Sequence, residues 1–343
     1  MEKTVGLCEQ STLFRSGDDG YECYRIPAAV VTSSGTILAF AEGRKDGRGD
    51  YADVNLMLKR SRDNGRTWSK AVVIADDGDH TMGNPCPIYD HRTGTVHLLL
   101  CRENRQVFAM RSTDEGQHWS DPMDVSASVY DRSMYFVYTG PGHGLQLRSG
   151  RLIVPSCADY GKRIGAVQGS YIVYSDDGGG SWKVGGILEP NGTDECEVVE
   201  LADGRLYLFG RNSTGKRSRG YSYSADGGLS WTPTAYDSRL PDSPSGCQGS
   251  IVRVSQTPAA DRNRIVVANA ANPYGRTHLT LRMSYDETVS WPVHRVLYEG
   301  SAGYSDLAVT ADGRILCLYE ADDYTRIACA LVDVAWLEGE RRG

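Results

Sequence analysis

Short apolar stretches separated by polar turns run along the whole chain, and few of them exceed six residues. Several show partial alternation of apolar and polar positions, the period of a strand with one buried face. Examples are GTILAFAE (35–42), DVNLMLKRS (53–61), GSYIVYS (169–175), GRLYLFGR (204–211) and RILCLYE (314–320). Short strands joined by tight turns fit this pattern better than long amphipathic helices, so we predict an all-β fold.

An eight-residue pattern, S-x-D-x-G-x-[TS]-W, recurs five times with starts 49 to 63 residues apart. The copies are SRDNGRTW (61–68), STDEGQHW (112–119), SDDGGGSW (175–182), SADGGLSW (224–231) and SYDETVSW (284–291). Ser and Asp side chains bond nearby backbone N–H groups, Gly accepts positive φ, and Trp packs inward, so each copy predicts a hairpin turn. The spacing is typical of propeller blades, and the chain length allows six blades of about 57 residues.

Two copies of the repeat depart from the pattern, with His118 in place of Thr or Ser and Thr288 in place of Gly. We expect slightly altered turns there but no lost blade, and we expect the repeats to be structural rather than substrate-binding. No linker divides the chain, so residues 1–343 are predicted to form one domain. Functional groups should then come from loops and inner strands of several blades, far apart in sequence.

Composition and charge exclude several classes of protein. The 39 glycines and 20 tyrosines suit many short strands. The net charge of −7 is spread along the chain and gives no positively charged surface for binding nucleic acid. The N-terminus lacks the apolar core of a signal peptide, and no segment approaches the roughly 20 apolar residues of a membrane span. Nine cysteines without a CxxC pair are expected to be mostly buried thiols rather than a disulfide framework. A cytoplasmic location is therefore expected.

Three arginines stand at the ends of predicted strands in different predicted blades. Arg25 opens YRIPAAVV, Arg211 ends GRLYLFGR, and Arg276 follows the turn ANPYG. A single arginine of this kind is readily explained as an edge residue that extends its charge to water. Three of them, each in a different predicted blade, weaken that explanation. Arg219 also precedes a repeat and is an alternative to Arg211 in this set.

Several segments together resemble the exo-sialidase family. They are YRIP near the N-terminus, the five Asp-box repeats, ECEVVELADGRLYLFGR, AGYSDL and CLYEADDY, and they cover the chain from Tyr24 to about Tyr324. The resemblance implies a six-bladed β-propeller of four-stranded antiparallel blades that needs no cofactor. It also implies an arginine triad for the carboxylate of sialic acid, a tyrosine nucleophile with a glutamate partner, and an aspartate acid/base.

The resemblance places these roles on particular residues. The triad falls on Arg25, Arg211 and Arg276, and Glu320 in CLYEADDY matches the glutamate that orients the first arginine. Tyr304 in SAGYSDL matches the nucleophile, and Glu195 in TDECEVVE matches its base. Sialidases with a tyrosine nucleophile are an exception among glycosidases. The carboxylate on the anomeric carbon of sialic acid would repel an anionic nucleophile but not a neutral phenol.

The acid/base is less narrowly defined, because the Gly-rich loop AEGRKDGRGDYADVN carries Asp46, Asp50 and Asp53. We favour Asp50, which lies six residues after Arg44 and just before the next strand. Asp53 belongs to the start of that strand, and Asp46 stays an alternative.

Weaker candidates for contact with the sugar lie in other loops. They are Arg44 beside the acid loop, Asn84 in MGNPCP, Glu103 in CREN and Tyr160 in CADYGK. The segment GRNSTGKR resembles a phosphate-binding loop, but Arg217 replaces the required Ser or Thr and a strand follows instead of a helix. The seven histidines show no metal-ligand spacing, so no metal is expected.

The function expected from these observations is a retaining exo-sialidase that acts on terminal α-linked sialic acids of glycans, glycoproteins or gangliosides. Three alternatives stay open: a trans-sialidase, a hydrolase that prefers the deaminated sugar keto-deoxynonose, and a propeller that binds sialic acid without catalysis.

Overall fold

The computed structural model describes residues 6–162 and 167–339, and in it the predicted all-β fold is confirmed. Strands hold 51% of the residues and helices 4%. The helices are α1 (Ser126–Val129), α2 (Val334–Glu338) and a 3-10 turn (Asp18–Gly20). Among the described residues, no helix combines the length and apolar character needed to cross a bilayer.

The strands follow one another in antiparallel order along the chain. The first eight are β1 (Cys8–Arg15), β2 (Cys23–Val31), β3 (Ile37–Arg44), β4 (Val54–Ser61), β5 (Val72–Ala75), β6 (Met82–Asp90), β7 (Thr95–Arg102) and β8 (Gln106–Ser112). The next eight are β9 (Met123–Asp124), β10 (Phe136–Thr139), β11 (Leu145–Gln146), β12 (Leu152–Asp159), β13 (Gln168–Ser175), β14 (Lys183–Ile187), β15 (Cys196–Glu200) and β16 (Leu206–Gly210). The last eight are β17 (Ser218–Ser224), β18 (Ala235–Pro241), β19 (Ser250–Ser255), β20 (Arg264–Ala270), β21 (Thr277–Ser284), β22 (Val293–Val309), β23 (Ile315–Ala321) and β24 (Arg326–Val332).

These strands assemble into sheets built on sets of four. Three sheets have the orders β2-β3-β4-β5, β6-β7-β8-β9 and β15-β16-β17-β18, and a fourth has β10-β12-β13-β14 with β11 beside β12. A seven-stranded sheet combines two sets, because the long strand β22 pairs with β21 along its first half and with β23 along its second. Its order is β19-β20-β21-β22-β23-β24-β1 when read from the β19 edge.

The two ends of the chain meet in one sheet. Strand β1 pairs with β24 in antiparallel register from Cys8 opposite Val332 to Arg15 opposite Arg326. Strands of neighbouring sets also contact one another in turn, β2 with β6, β6 with β12, β12 with β15, β15 with β19, β19 with β22 and β22 with β2. The core consists of apolar clusters between neighbouring sheets.

Each Asp-box repeat forms the turn between the third and fourth strands of its set. In the first copy, Ser61 Oγ accepts the Gly65 N–H at 2.9 Å, and Asp63 accepts the backbone N–H of Thr67 at 2.9 Å. The indole of Trp68 donates to the Gly65 carbonyl at 3.1 Å. The set β22–β24 takes its fourth strand, β1, from near the N-terminus rather than from a hairpin, so it needs no such turn.

Both departures from the repeat keep the turn. His118 Nδ1 lies 2.7 Å from Asp114 Oδ2 and takes the place of the usual hydroxyl. Thr288 adopts φ 74°, the left-handed conformation that Gly normally supplies, and its N–H donates to Ser284 Oγ at 2.9 Å. A β-branched residue with positive φ is strained, so the bonds of this turn must offset that cost.

The expectation of free thiols is confirmed. All nine cysteines are free, and eight of them are buried, with Cys8 partly exposed. Cys86, Cys101 and Cys317 lie in the apolar clusters between sheets, where they act as small hydrophobic side chains.

Candidate active site

The candidate site lies where the first strands of several sets begin. Three of these strands contain a β-bulge at that end: the register shifts between Arg25 and Ala28 in β2, between Gly83 and Cys86 in β6, and between Ala302 and Ser305 in β22. A bulge bends its strand and redirects the side chains beside it. Within the first bulge Ile26 has φ 56°, an unfavourable conformation for a β-branched residue, and such strain is concentrated at functional sites.

Tyr304 and Glu195 form a buried hydrogen-bonded pair at the centre of the site. The Tyr304 hydroxyl donates to Glu195 Oε1, and the two residues are 8% and 9% exposed. Arg211 Nη1 contacts both, at 2.8 Å from Glu195 Oε2 and 3.2 Å from the Tyr304 oxygen. A phenol, a carboxylate and a guanidinium therefore share one proton-transfer network, although their residues are up to 109 positions apart.

The surroundings of Tyr304 keep it in its neutral form. Burial, and then the neighbouring Glu195 carboxylate, raise the pKa of Tyr304 well above its usual value of 10, although three arginines oppose the shift. Loss of the phenolic proton therefore requires a base in direct contact, and Glu195 is in that position.

Arg25, Arg211 and Arg276 surround the ring of Tyr304. The guanidinium carbon lies 5.2 Å from the ring centroid for Arg25 and 5.6 Å for Arg276. Arg276 donates to the Gly246 carbonyl at 3.2 Å, and Arg211 donates to the Ser245 carbonyl at 3.1 Å. The structure thus brings the three arginines of the predicted triad close together, although they lie on or next to three different strands, β2, β16 and β21.

Glu320 is fully buried and holds Arg25 in place. It accepts Arg25 Nε at 3.0 Å and Arg25 Nη2 at 3.3 Å, and it also accepts the backbone N–H groups of Ile26 and Tyr304, each at 3.0 Å. Any side chain at Gly303 would collide with the Glu320 carboxylate, so glycine is required there. One carboxylate therefore fixes an arginine of the triad and the backbone of the tyrosine together.

Arg219, the competitor of Arg211, lies outside the site. It is fully buried, with Nη1 3.1 Å from Asp242 Oδ2 and its guanidinium carbon 4.1 Å from the ring centroid of Phe209. It also donates to the Cys247 carbonyl. Arg219 therefore supports the loop 242–247, whose carbonyl groups receive the Arg211 and Arg276 side chains.

Of the three aspartates in the Gly-rich loop, Asp50 faces the site. Its Oδ1 accepts Arg44 Nη1 at 2.9 Å and lies 3.7 Å from Arg25 Nη1, and its side chain is 65% exposed. Asp53 instead pairs with Lys45 at 2.8 Å. Asp46 is exposed and does not line the cavity.

A small polar cavity of about 60 Å³ adjoins the Tyr304–Glu195 pair. Two of the weaker candidates, Arg44 and Asn84, line it. Arg44 pairs with Glu42 at 2.5 Å, and Glu42 also accepts the Asn84 backbone N–H at 2.7 Å. The lining residues are Ile26, Glu42, Arg44, Asp50, Thr81, Asn84, Asn104, Tyr138, Glu195 and Tyr304.

The structure does not place the other two candidates, Glu103 and Tyr160, in this cavity. Glu103 turns back to accept the Thr81 N–H at 2.7 Å, and its neighbour Asn104 faces the cavity. Tyr160 packs against the apolar cluster between two sheets, while Tyr138 from the paired strand β10 faces the cavity. Glu103 directly follows β7 and Tyr160 directly follows β12. The chain turns at both positions, so both side chains point away from the cavity.

Four further residues in or beside the site were not predicted: Glu42, Asn104, Tyr138 and Asp194. Glu42 did carry a signal, since a carboxylate inside the apolar stretch ILAFAEGR is costly to bury unless it is paired. Asp194 is 1% exposed, and its Oδ2 lies 3.6 Å from Arg211 Nε. Burial raises the pKa of Asp194 to about 7. The positive charge of Arg211 opposes this shift, and the neighbouring Glu195 carboxylate adds to it.

The fold and the repeats define a BNR-repeat protein, and a family model described as a BNR repeat-like domain matches residues 35–317. A sialidase of Micromonospora viridifaciens is 33% identical over an alignment that covers 97% of this chain, and an exo-alpha-sialidase of Arthroderma benhamiae is 30% identical over 89%. The chain spans 55% of the length of the first and 79% of the second. The chain belongs to the exo-alpha-sialidase family.

Solved structures agree with this assignment. The Hadza microbial sialidase Hz136 has a TM-score of 0.86 and 25% identity, with 96% of this chain and 69% of that chain covered. An intramolecular trans-sialidase from Ruminococcus gnavus, in complex with oseltamivir carboxylate, has a TM-score of 0.82 and 19% identity, with 96% and 98% covered. The second likeness concerns the fold alone.

Proposed function

We propose that this protein is a retaining exo-sialidase that releases terminal α-linked sialic acid from glycoconjugates through a covalent intermediate on Tyr304. The observation that carries the proposal is the enclosure of a hydrogen-bonded Tyr304–Glu195 pair by three arginines. Three cations around one phenol fit a substrate whose anomeric carbon itself carries a carboxylate.

In this proposal the triad binds the sugar carboxylate and so places the anomeric carbon over Tyr304. Guanidinium groups suit this role, because each presents donors in a planar fork. Arg25 is held for it by Glu320, and within the described part of the chain Arg276 forms no ion pair with a carboxylate. Its contacts with the Tyr324 hydroxyl at 3.3 Å and with Gly246 leave its charge for the substrate.

Tyr304 then attacks the anomeric carbon while Glu195 takes the phenolic proton. Because the pKa of Tyr304 is raised, the phenol stays neutral when the anionic substrate arrives, and charge develops on its oxygen only as the new bond forms. Arg211, which contacts both oxygens, stabilises that developing charge. Water later breaks the tyrosyl bond with the configuration of the sugar retained.

Asp50 is proposed as the acid that protonates the leaving oxygen and as the base that activates water afterwards. It lies beside Arg25, at the edge of the cavity where the leaving group would depart. A bound sugar would cover its exposed side chain, and removal from water favours the protonated carboxyl that an acid catalyst needs.

We further propose that the four-stranded sets form the six blades of a closed propeller. The pairing of β1 with β24 and the contact of β22 with β2 support closure of the ring. The double pairing of β22 supports a count of six, because it divides the seven-stranded sheet into two sets.

Release of the aryl group from an aryl α-sialoside tests the proposed function. Wild-type protein should liberate it, and Tyr304→Phe should lose normal turnover while the thermal unfolding curve is unchanged. Unaltered kinetics in Tyr304→Phe would refute the mechanism. Analysis of the sugar product separates hydrolysis, which gives free sialic acid, from transfer, which gives an anhydro sugar or a new glycoside. Binding of the sugar without any turnover would instead indicate a lectin.

A further inference from the structure

A second polar cluster lies directly beneath the catalytic pair. Glu197 follows Glu195 by two positions and Asp306 follows Tyr304 by two positions, and alternate residues of a strand lie on the same face. Both carboxylates are fully buried. Strand β15, which begins directly after the proposed base, and strand β22, which carries the proposed nucleophile, therefore each contain a buried acid two residues further along the chain.

His143 joins these two carboxylates. It comes from the loop between β10 and β11, and its Nδ1 lies 2.7 Å from Asp306 Oδ1 and 3.7 Å from Glu197 Oε2. Gly142, at φ 105°, lies so close to the Glu197 carboxylate that a side chain there would collide with it. The loop is thus shaped to bring the imidazole between the two acids.

The cluster also ties the surrounding strands together. Ser250 Oγ lies 2.7 Å from Glu197 Oε2 and 3.1 Å from Asp306 Oδ1. The Ala29 N–H donates to Asp306 Oδ2 at 2.6 Å, and the Ile251 N–H donates to Glu197 Oε2 at 2.9 Å. Strands β2, β15, β19 and β22 therefore meet at two carboxylates and one imidazole.

The electrostatics favour a charged His143. Burial opposes the imidazolium, but Asp306 and then Glu197 raise the pKa of His143 to about 9. Burial raises the pKa of Glu197 well above its usual value, and Asp306 adds to this shift while His143 opposes it. A charged imidazole thus lies between two buried acidic side chains, and both of them favour its charge.

Solvent reaches this cluster from another cavity, of 190 Å³, which shares no lining residue with the catalytic one. His143, 15% exposed, lines this second cavity together with Ala29, Leu307 and His91. A proton can therefore reach His143 without passing through the catalytic cavity.

We propose that His143 is a positioning residue whose imidazolium clamps β15 to β22 and so keeps Glu195 in hydrogen-bond contact with Tyr304. This inference rests on the proposed roles of those two residues. An error of about 1 Å in such a contact is enough to cost about a hundredfold in rate. The triad arginines lie outside β15 and β22, so the clamp should affect the chemical step more than substrate binding.

The other titratable groups around His143 do not replace it. Cys86 on β6 is close to both carboxylates, but burial and those charges raise the pKa of its thiol well above the ordinary value, so it stays neutral. His91 lines the same cavity but is exposed. Strand β2 contributes Ala29, strand β19 contributes Ser250, and Gln248 comes from the segment before β19; none of these side chains titrates.

Kinetics of His143→Gln with an aryl α-sialoside test the clamp, with His91→Gln as the matched control from the same cavity. We expect kcat to fall at least about tenfold with KM changed less than about twofold, and the control to match wild type. The deficit should shrink as pH rises through about 9, because wild-type His143 then loses its own charge. A deficit that is independent of pH, or one confined to KM, would overturn the proposal.

A second readout does not depend on activity. The stabilisation from a raised histidine pKa is complete below about pH 6.5 and is lost as pH rises through about 9. The Tm difference between wild type and His143→Gln should follow that course, and the double variant His143→Gln/Asp306→Asn should recover part of the loss. A pH-independent difference, or a Tm that falls on dialysis against a chelator, would overturn the clamp. Inactive wild-type protein with the expected Tm course would refute the proposed function and leave the clamp itself standing.

Discussion

Replacement of Glu320 by glutamine tests whether one buried carboxylate organises the site. The carboxylate accepts four N–H groups at 3.0 to 3.3 Å, two from Arg25 and the backbone N–H groups of Ile26 and Tyr304. Oε1 receives Arg25 Nε and Ile26, and Oε2 receives Arg25 Nη2 and Tyr304. In either orientation the glutamine amide nitrogen would therefore face two donors.

The magnitude follows from these contacts. A hydrogen bond to a charged group contributes about 1.5–3 kcal/mol, and loss of one partner from a buried ion pair costs about 3–5 kcal/mol. Two lost bonds and an uncompensated Arg25 therefore predict that Glu320→Gln lowers the free energy of unfolding by about 3–5 kcal/mol. The value of kcat/KM should fall at least about tenfold, because Arg25 is no longer fixed.

Urea unfolding measures the stability change, and initial rates with an aryl α-sialoside measure the activity change. Glu299→Gln is the matched control, because Glu299 is an exposed carboxylate in the first half of β22, outside the site. The control should lie within about 0.5 kcal/mol of wild type. A Glu320→Gln variant less than about 1 kcal/mol below wild type would refute the reasoning.

Three further outcomes are expected. Asp177→Ala removes the acceptor of the Ser181 N–H (2.8 Å) and hydroxyl (2.7 Å), so urea unfolding should show a loss of about 1–2 kcal/mol, and an unchanged midpoint would contradict this. The hydrogen bonds of Ser181 lower the pKa of Asp177 to about 2, so this contribution is complete above about pH 4 and is lost as pH falls through about 2. Arg219→Ala leaves Asp242 buried without its cation and should cost about 3–5 kcal/mol of unfolding free energy; a loss below about 1 kcal/mol would argue against that pairing. Thiol labelling of native protein should modify Cys8 first and all nine cysteines after denaturation, whereas fast labelling of several native thiols would contradict their burial.

The repeats carried most of the information about the fold, because each Asp-box turn is a local structure. Its Ser, Asp, Gly and Trp contact one another within eight residues, so sequence alone reveals the hairpin. The pairing of β1 with β24 joins residues more than 300 positions apart, and no local sequence pattern predicts it. The sharing of the 17-residue strand β22 between two sets was not predicted either, because it depends on which strands pair with each half.

The candidate site likewise contains residues that the sequence predicted and residues that depend on the three-dimensional fold. Arg25, Tyr304 and Glu320 stand in distinctive segments, and the structure brings them together. Glu103 and Tyr160 lie outside the cavity, because the side chain that faces it at a strand end depends on how the chain turns there. The bulges around Ile26 and Asn84 also redirect side chains at the site, and no sequence motif marks them.

The identity of the residue that bonds to the sugar tests the central claim most directly. A sialic acid with fluorine at C2 and C3 supplies a good leaving group and slows the second step, because the C3 fluorine disfavours the oxocarbenium-like transition state. Peptide mass mapping after brief incubation should find one sialosyl adduct, on the peptide that contains Tyr304, with loss of activity in proportion. An adduct on another residue, or steady turnover of the aryl sialoside with no adduct at all, would contradict the account.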